Sequence, residues 1–317
     1  MRKPEDFPRI SLGVFPTPIQ RLNNISEMLH TNVYIKRDDL TGLGLGGNKT
    51  RKLEFLLADA KQRGAQIVFT TGQAQSNHAM LTAAAAGKVG MKAILILKKR
   101  GVTQRLGNQL LEYLMGTDVR LMDTDDYADI YKEMDAVGEE TGLPYYKIPC
   151  GGSNALGTLG YVDCAREIAK QQTQRFTHLI CAEGSGGTMA GLALGAKLFL
   201  PGTEVYGMMV DTDPFETITP ALMRETAGLM EADVTITPED YHLRDMCGSG
   251  YAIASPQGNE AVRVMAEKEG IFLDPVYTGK AFAGLLEMAA EGAFGPDDRV
   301  LFLHSGGAGG LFAVDMN

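Results

Sequence analysis

Lys49 stands directly behind a run of glycines. Residues 41–52 read TGLGLGGNKTRK, with glycine at 42, 44, 46 and 47. Glycine admits positive φ and lets two stretches of backbone approach closely. Behind Lys49 the pattern changes. Leu53, Leu56, Leu57 and Ala60 fall at i, i+3, i+4 and i+7, the spacing of an amphipathic helix. Lys49 therefore lies at or near a helix N-terminus, where the macrodipole disfavours a cation by about 0.3–1 kcal/mol. A lysine so placed holds its amine neutral more readily, and imine formation with a carbonyl requires a neutral amine. On its own, a lysine behind glycines is most simply a surface residue at a loop. The neighbouring motifs decide between the two readings.

A second glycine cluster suggests what would bind beside it. Residues 179–191 read LICAEGSGGTMAG. A buried strand runs into Gly184, Ser185, Gly186, Gly187 and Thr188, and a helical pattern follows. Successive backbone N–H groups at a helix N-terminus cradle a phosphate, and Ser185 and Thr188 add hydroxyl donors. No GK[ST] ends the run, so it is not a P-loop. Met189 stands where a dinucleotide fingerprint needs its last glycine. The loop suits one isolated phosphate group, and the plain alternative is a tight strand-to-helix turn. Glu183, just before the loop, would repel a phosphate unless its side chain points away.

Other polar residues fall at strand ends or turns. Ser76 and Asn77 follow the strand-like QIVFTTG and open a helix. Ser76 fits an N-cap. Ligands also bind at the C-terminal ends of parallel strands, where Ser and Asn offer donors to a carboxylate or a phenolate. Tyr251 in GSGYA and Tyr277 in LDPVYTGKA sit among turn residues and off any regular apolar stripe. The run VLFLHSGG ends a strand in Ser305, placed to meet a ligand from below, while His304 reads as a satisfied histidine at a strand end.

Short β-rich runs alternate with helical patterns along most of the chain. Strands are expected at 66–70, from 92 onward, and at 119–122, 145–148, 177–182, 204–210 and 300–303. Helices are expected at 77–89, 106–114, 125–140, 155–171 and 188–200. Alternation of this kind signals βαβ units and parallel sheet, with helices on both faces. The chain has 317 residues, 44% of them hydrophobic and 22% charged, enough for two lobes. A small lobe, residues 50–150, is expected to be inserted into a large one made of residues 1–49 and 151–317.

The net charge is -9 with no Lys/Arg-rich run, which argues against nucleic acid as a partner. No apolar run reaches the ~18 residues of a membrane span, so no membrane is expected. The four cysteines show no metal spacing, so no metal site is expected. The start MRKPEDFPRI lacks the apolar stretch of a secretion signal, which suits a cytoplasmic protein.

The motifs occur in an order that resembles the fold type II enzymes of pyridoxal 5'-phosphate (PLP), the tryptophan synthase β-like group. IKRDD (35–39), GGNKTRKLEFL (46–56), QSNH (75–78), IPCGGSNALGTLGYV (148–162), LDPVYTGKA (273–281) and FLHSGG (302–307) are similar to the D-cysteine desulfhydrase and 1-aminocyclopropane-1-carboxylate (ACC) deaminase family. The resemblance spans residues 7–312. It implies a two-lobed, three-layer α/β/α fold with mostly parallel sheets, PLP as cofactor, a small amino acid as substrate and a homodimer. By position, Lys49 matches the lysine that binds PLP. Asn77 matches the residue at the cofactor's phenolic oxygen, and Ser76 the one at the substrate carboxylate. Residues 184–188 match the phosphate loop and Ser305 the hydroxyl residue at the pyridine nitrogen. Tyr251 and Tyr277 match the tyrosines that flank the reacting substrate.

ACC deaminases carry Glu after the second tyrosine; here it is Thr278. That difference favours β-elimination over ring opening. The resemblance therefore implies an ammonia-releasing β-lyase, with D-cysteine the leading substrate. L-cysteate, diaminopropionate and ACC are the alternatives, and a non-catalytic PLP-binding protein is the reading from another class. Relatives follow QSNH with a small residue, then Arg and Gln, where this chain has Ala79, Met80 and Leu81. The segment 97–108 is also short beside relatives.

Overall fold

The computed structural model describes residues 1–314. The chain enters through β1 (Ile19–Arg21), α1 (Asn23–Leu29) and β2 (Asn32–Arg37), and the glycine run leads into α2 (Lys49–Gln62). Next come β3 (Ile67–Thr70), α3 (Asn77–Lys88), β4 (Lys92–Lys98), α4 (Gly107–Leu114), β5 (Asp118–Met122), α5 (Tyr127–Thr141) and β6 (Tyr145–Lys147). The remainder is α6 (Ala155–Gln171), β7 (His178–Glu183), α7 (Gly187–Phe199), β8 (Glu204–Met209), α8 (Phe215–Leu229), β9 (His242–Asp245), α9 (Pro256–Glu269), α10 (Thr278–Ala290), β10 (Arg299–His304) and α11 (Ala308–Leu311).

These strands form two sheets. The larger has the order β1-β2-β10-β7-β8-β9, and the smaller β5-β4-β3-β6. Only β1 with β2 is antiparallel; the other paired strands are parallel. Side-chain alternation sends each strand's residues to two faces. In β7, Leu179 and Cys181 join a cluster with α6, α7 and α8, while Ile180 and Ala182 pack on the opposite side with residues of α9 and α10. In β3, Val68 packs with α2 and α3, whereas Ile67 and Phe69 meet Ile130, Met134 and Val137 of α5. Both sheets are thus covered on both faces, which gives the three-layer α/β fold. Among the described residues, no helix is long and apolar enough to cross a membrane.

Helix α2 is buried far beyond a one-sided amphipathic pattern. Every residue from 50 to 58 is buried, including Arg51, Lys52 and Glu54. Leu53, Leu56 and Leu57 face the small sheet's core, and Phe55 the large sheet's. Buried charges need partners. Arg51 donates to both oxygens of Asp38, at 2.7 and 2.9 Å, and to Glu167 Oε1 at 2.9 Å. Tyr161 adds a third donor to Asp38 at 2.6 Å. Glu54 pairs with Arg9 and accepts the N–H of Leu12 at 2.8 Å.

Burial alone would raise the Asp38 carboxyl, but Arg51, with Lys36 and Tyr161 behind it, holds it down at about 2. A carboxyl whose folded pKa is depressed stabilises the fold above its ordinary value and loses that contribution as pH falls through the folded value. Asp38→Asn leaves the Arg51 charge without its bidentate partner in the core. The variant should lose roughly 3–5 kcal/mol of stability at neutral pH. Its stability should also vary less than the parent's as pH falls from about 4 toward 2, the span between the ordinary and native pKa values of Asp38. Denaturant melts across pH measure both, and an unchanged midpoint at neutral pH would contradict the structure.

Candidate active site

The glycine run fixes where Lys49 stands. Gly46 has φ +75°, and a Cβ there would run into the Asp39 carbonyl, so only glycine fits. The Gly47 N–H donates to Asp38 O and Thr41 Oγ1, each at 2.9 Å. The Asn48 N–H donates to Ser305 O at 2.9 Å. These bonds hold the first residue of α2, Lys49, beside the end of β10. Burial lowers the Lys49 amine to about 8, against the upward pull of Cys150 and Glu183. Burial is thus what depresses the lysine's pKa.

The second glycine run turns sharply from β7 into α7. Gly186 adopts φ +86° with Ile218 and Leu222 against it, leaving no room for a side chain. Ser185 Oγ lies 3.0 Å from Ser153 Oγ, and Thr188 Oγ1 accepts from Asn48 Nδ2 at 3.0 Å. Gly187 differs from its neighbours. It does not line the cavity, and its N–H donates to Ser153 Oγ at 3.2 Å. Glu183 turns one oxygen to Thr219 of α8, which donates at 3.0 Å. Burial pushes this carboxyl up to about 7, against the pull of Lys52 and Lys49, so it carries less charge near the loop than an ordinary glutamate.

Both runs open on one cavity of about 320 Å³, at the lower end of small-molecule sites. It collects nearly all the residues singled out by sequence: Lys49, Ser76, Asn77, Gly184, Ser185, Gly186, Thr188, Tyr251, Tyr277 and Ser305. The cavity lies at the C-terminal ends of β3, β7, β8 and β10, where parallel sheets place ligands. Ser76 also caps α3, accepting the Ala79 N–H at 3.2 Å, while lining the cavity. The Tyr251 and Tyr277 hydroxyls hydrogen-bond each other, with ring centroids 5.9 Å apart. Burial raises both phenols, so each stays protonated at neutral pH.

Several residues singled out by sequence lie outside the cavity lining. Thr278 is buried, and its hydroxyl donates to Asp274 Oδ1 at 2.7 Å. Met80 packs in the core cluster beneath the glycine run, where a Cβ on Gly44 would lie 3.3 Å from its sulfur. His304 is satisfied: Nδ1 accepts the Gly306 N–H at 3.3 Å, and Nε2 donates to Phe272 O at 3.0 Å.

Sequence reasoning missed Lys52. It is fully buried, and its Nζ donates only to neutral oxygens, Gly151 O and Ser153 Oγ, both at 3.1 Å. Burial and the nearby Lys49 hold its amine well below the ordinary value. Its signal was there: Lys49 and Lys52 lie one helical turn apart, with a glycine run on one side. Asn48, Tyr127, Cys150, Asp211 and Asp213 also line the cavity; Asn48 and Cys150 fall within the quoted motifs but were given no role, and no motif marked the others.

The site fits a phosphorylated aldehyde. Gly184, Gly186 and Thr188 form a cradle that a side chain on Gly186 would fill. Lys52, a buried amine with only neutral acceptors, stands beside the cradle and suits a dianionic group. Lys49 offers an amine of lowered pKa in the same cavity.

Comparison with known proteins agrees. The family model "Pyridoxal-phosphate dependent enzyme" matches residues 10–306. The chain is 43% identical to a Pyrococcus horikoshii protein named "Putative 1-aminocyclopropane-1-carboxylate deaminase", over 96% of this chain and 94% of that one. A Pyrococcus furiosus protein of the same name is 41% identical over the same shares. A crystal structure of an ACC deaminase homologue superposes with a TM-score of 0.91 at 42% identity, covering 97% of this chain and 94% of that chain. A hydrogen sulfide-producing enzyme from Fusobacterium nucleatum matches at TM-score 0.69 and 17% identity, covering 93% and 96%, a likeness of fold alone. With the cavity's lysine, its phosphate cradle and these matches in agreement, the chain is a member of the pyridoxal-phosphate dependent enzyme family.

Proposed function

We propose that this enzyme is a β-eliminating lyase of a small amino acid, with D-cysteine as substrate. Water enters the overall reaction, and pyruvate, ammonia and hydrogen sulfide leave. The observation that carries the reading is Lys49, a lysine of lowered pKa facing a phosphate cradle and two protonated tyrosines.

When bound, PLP supplies the electron sink that lets the Cα–H bond break heterolytically. Lys49 Nζ would hold the cofactor aldehyde and, when free, would take the substrate's Cα proton. Gly184, Ser185, Gly186, Thr188 and Lys52 would hold the phosphate. The Asn77 amide would meet the phenolic oxygen, and Ser305 the ring nitrogen. Ser76 holds the substrate carboxylate from the N-terminus of α3, where the helix dipole favours an anion. The Tyr251–Tyr277 pair offers an O–H to the departing thiolate. Holding these groups in place supplies several kcal/mol of barrier lowering.

Thr278 supports elimination over ring opening. Its hydroxyl is committed to Asp274, so this position brings no acid or base to the cavity where ACC deaminases carry Glu. A second reading, deamination of ACC, draws on the names of the Pyrococcus relatives.

Capture of PLP by the apoenzyme should speed up with rising pH and level off above about 8, where Lys49 is neutral. Lys49→Ala should stay colourless under the same conditions. A parent that stays colourless with PLP would refute the reading.

Lys52→Gln keeps a donor and removes the charge. Hydrogen bonds to charged groups contribute about 1.5–3 kcal/mol. The variant should therefore weaken PLP by about tenfold or more while leaving the affinity for pyridoxal, which lacks the phosphate, near the parent's. Equal losses for both would remove Lys52 from the phosphate site.

Pyruvate release from D-cysteine, L-cysteine, β-chloro-D-alanine and L-cysteate, and 2-oxobutyrate release from ACC, separates the substrates. D-cysteine should lead the panel. ACC in first place would favour the second reading, and turnover of none would leave a PLP-binding protein without this lyase activity.

A further inference from the structure

Helix α4 is inverted. Its buried residues are Asn108, Gln109 and Glu112, while Leu110, Tyr113 and Leu114 are exposed. A helix normally buries its apolar stripe. The polar face of α4 instead holds the loop that carries Ser76 and Asn77. Gln109 donates to Ala74 O at 2.7 Å. The Asn108 N–H donates to Gln75 Oε1 at 2.9 Å, and Asn108 Nδ2 donates to Gln75 O at 2.9 Å and to Asn77 Oδ1 at 2.8 Å.

This chain of bonds fixes an orientation that amide geometry alone leaves open. A backbone carbonyl can only accept, so the atom of Asn108 facing Gln75 O must be the amide nitrogen. That nitrogen has a second hydrogen, which points at Asn77. The atom of Asn77 facing it must then be the oxygen. Asn77 lines the cavity, and with Oδ1 committed to Asn108, Nδ2 is the end left for a ligand. Asn108 itself is fully buried and cannot swing aside, and a Cβ on Gly309 of α11 would overlap its Oδ1.

We propose that Asn108 is a positioning residue that holds the Asn77 amide with its Nδ2 toward the cavity, as a hydrogen-bond donor to the phenolic oxygen of the cofactor. The inference rests on the PLP reading above and adds a residue outside the cavity lining to it. A donor at that oxygen stabilises the ionised phenol, whereas a flipped amide would set oxygen against oxygen. Asn108 touches neither cofactor nor substrate; it acts through Asn77.

The test compares two cofactors on the apoenzyme, PLP and 3-deoxypyridoxal 5'-phosphate, which lacks the phenolic oxygen. Asn108→Asp is nearly isosteric but cannot donate, so Asn77 must turn. The variant should bind PLP about tenfold more weakly and shift the pH midpoint of the bound cofactor's visible band. Its affinity for the 3-deoxy analogue should match the parent's. The Asn77→Ala/Asn108→Asp double variant should bind PLP no more weakly than Asn77→Ala, because the effect passes through Asn77.

Equal losses for both cofactors would mean a structural role only, and no loss with PLP would mean no role; either overturns the proposal. A double variant weaker than Asn77→Ala would mean direct repulsion from the new carboxylate and would overturn it too. Should Asn108→Asp not fold, Gly309→Ala presses on the same amide from α11. It should weaken PLP and spare the 3-deoxy analogue, and any other pattern overturns the proposal. A parent that takes up neither cofactor refutes the PLP reading itself, before any variant is compared.

Discussion

The site depends on one constraint: the charges of α2 are buried and must be neutralised. A helix interior to two layers cannot leave guanidinium or carboxylate groups unpaired. Arg51 is met by Asp38 and Glu167, and Glu54 by Arg9. These pairs tie α2 to α6, to the turn after β2 and to the segment before β1. Lys49 sits about one and a half turns ahead of Glu54 on that anchored helix, so its place is set by the same pairs.

The two lysines of the first turn show how neighbours divide roles. Lys52 is held by Gly151 O and Ser153 Oγ, next to the phosphate cradle. Lys49 points into the cavity with a lowered pKa. Both amines are pushed toward neutrality by burial, yet only one is engaged by the protein. The polar face of α4 repeats the theme on the other side of the cavity. There Asn108, Gln109 and Glu112 are buried to hold a loop, and the apolar side of the same helix faces outward. In α4 the site, more than the core, explains which residues are buried.

Much of the fold was legible because buried parallel strands and their helices carry strong patterns. The strand at 66–70 is Ile67–Thr70, the helix at 155–171 is Ala155–Gln171, and the strand at 300–303 extends to Arg299–His304. The outer strands were not legible. β1 has three residues with none buried, and β9 reads HLRD with none buried, so neither shows a β pattern. Helices α8, α9 and α10 were missed beside Pro214, Pro256 and the turn before Thr278. The glycine motifs drew attention to Lys49 and the turn at 184–188, which both line the cavity, because glycine is required there by φ and close approach. Asn108 and the Asp211–Asp213 turn gave no such sign, and Lys52 only its place one turn after Lys49. Their roles come from burial and from partners far away in sequence, such as Lys52 with Ser153 and Asn108 with Asn77. Met80 and Thr278 stood out as differences from relatives, and their side chains point into packing and into Asp274.

The central claim is that Lys49, and not its neighbour Lys52, holds the cofactor covalently. Reduction of the PLP-loaded protein with borohydride, followed by proteolysis and mass spectrometry of the peptides, tests it most directly. The account predicts a single pyridoxyl phosphate label on Lys49, with Lys52 unmodified. A label on Lys52, or a reduced protein that carries none, would contradict it.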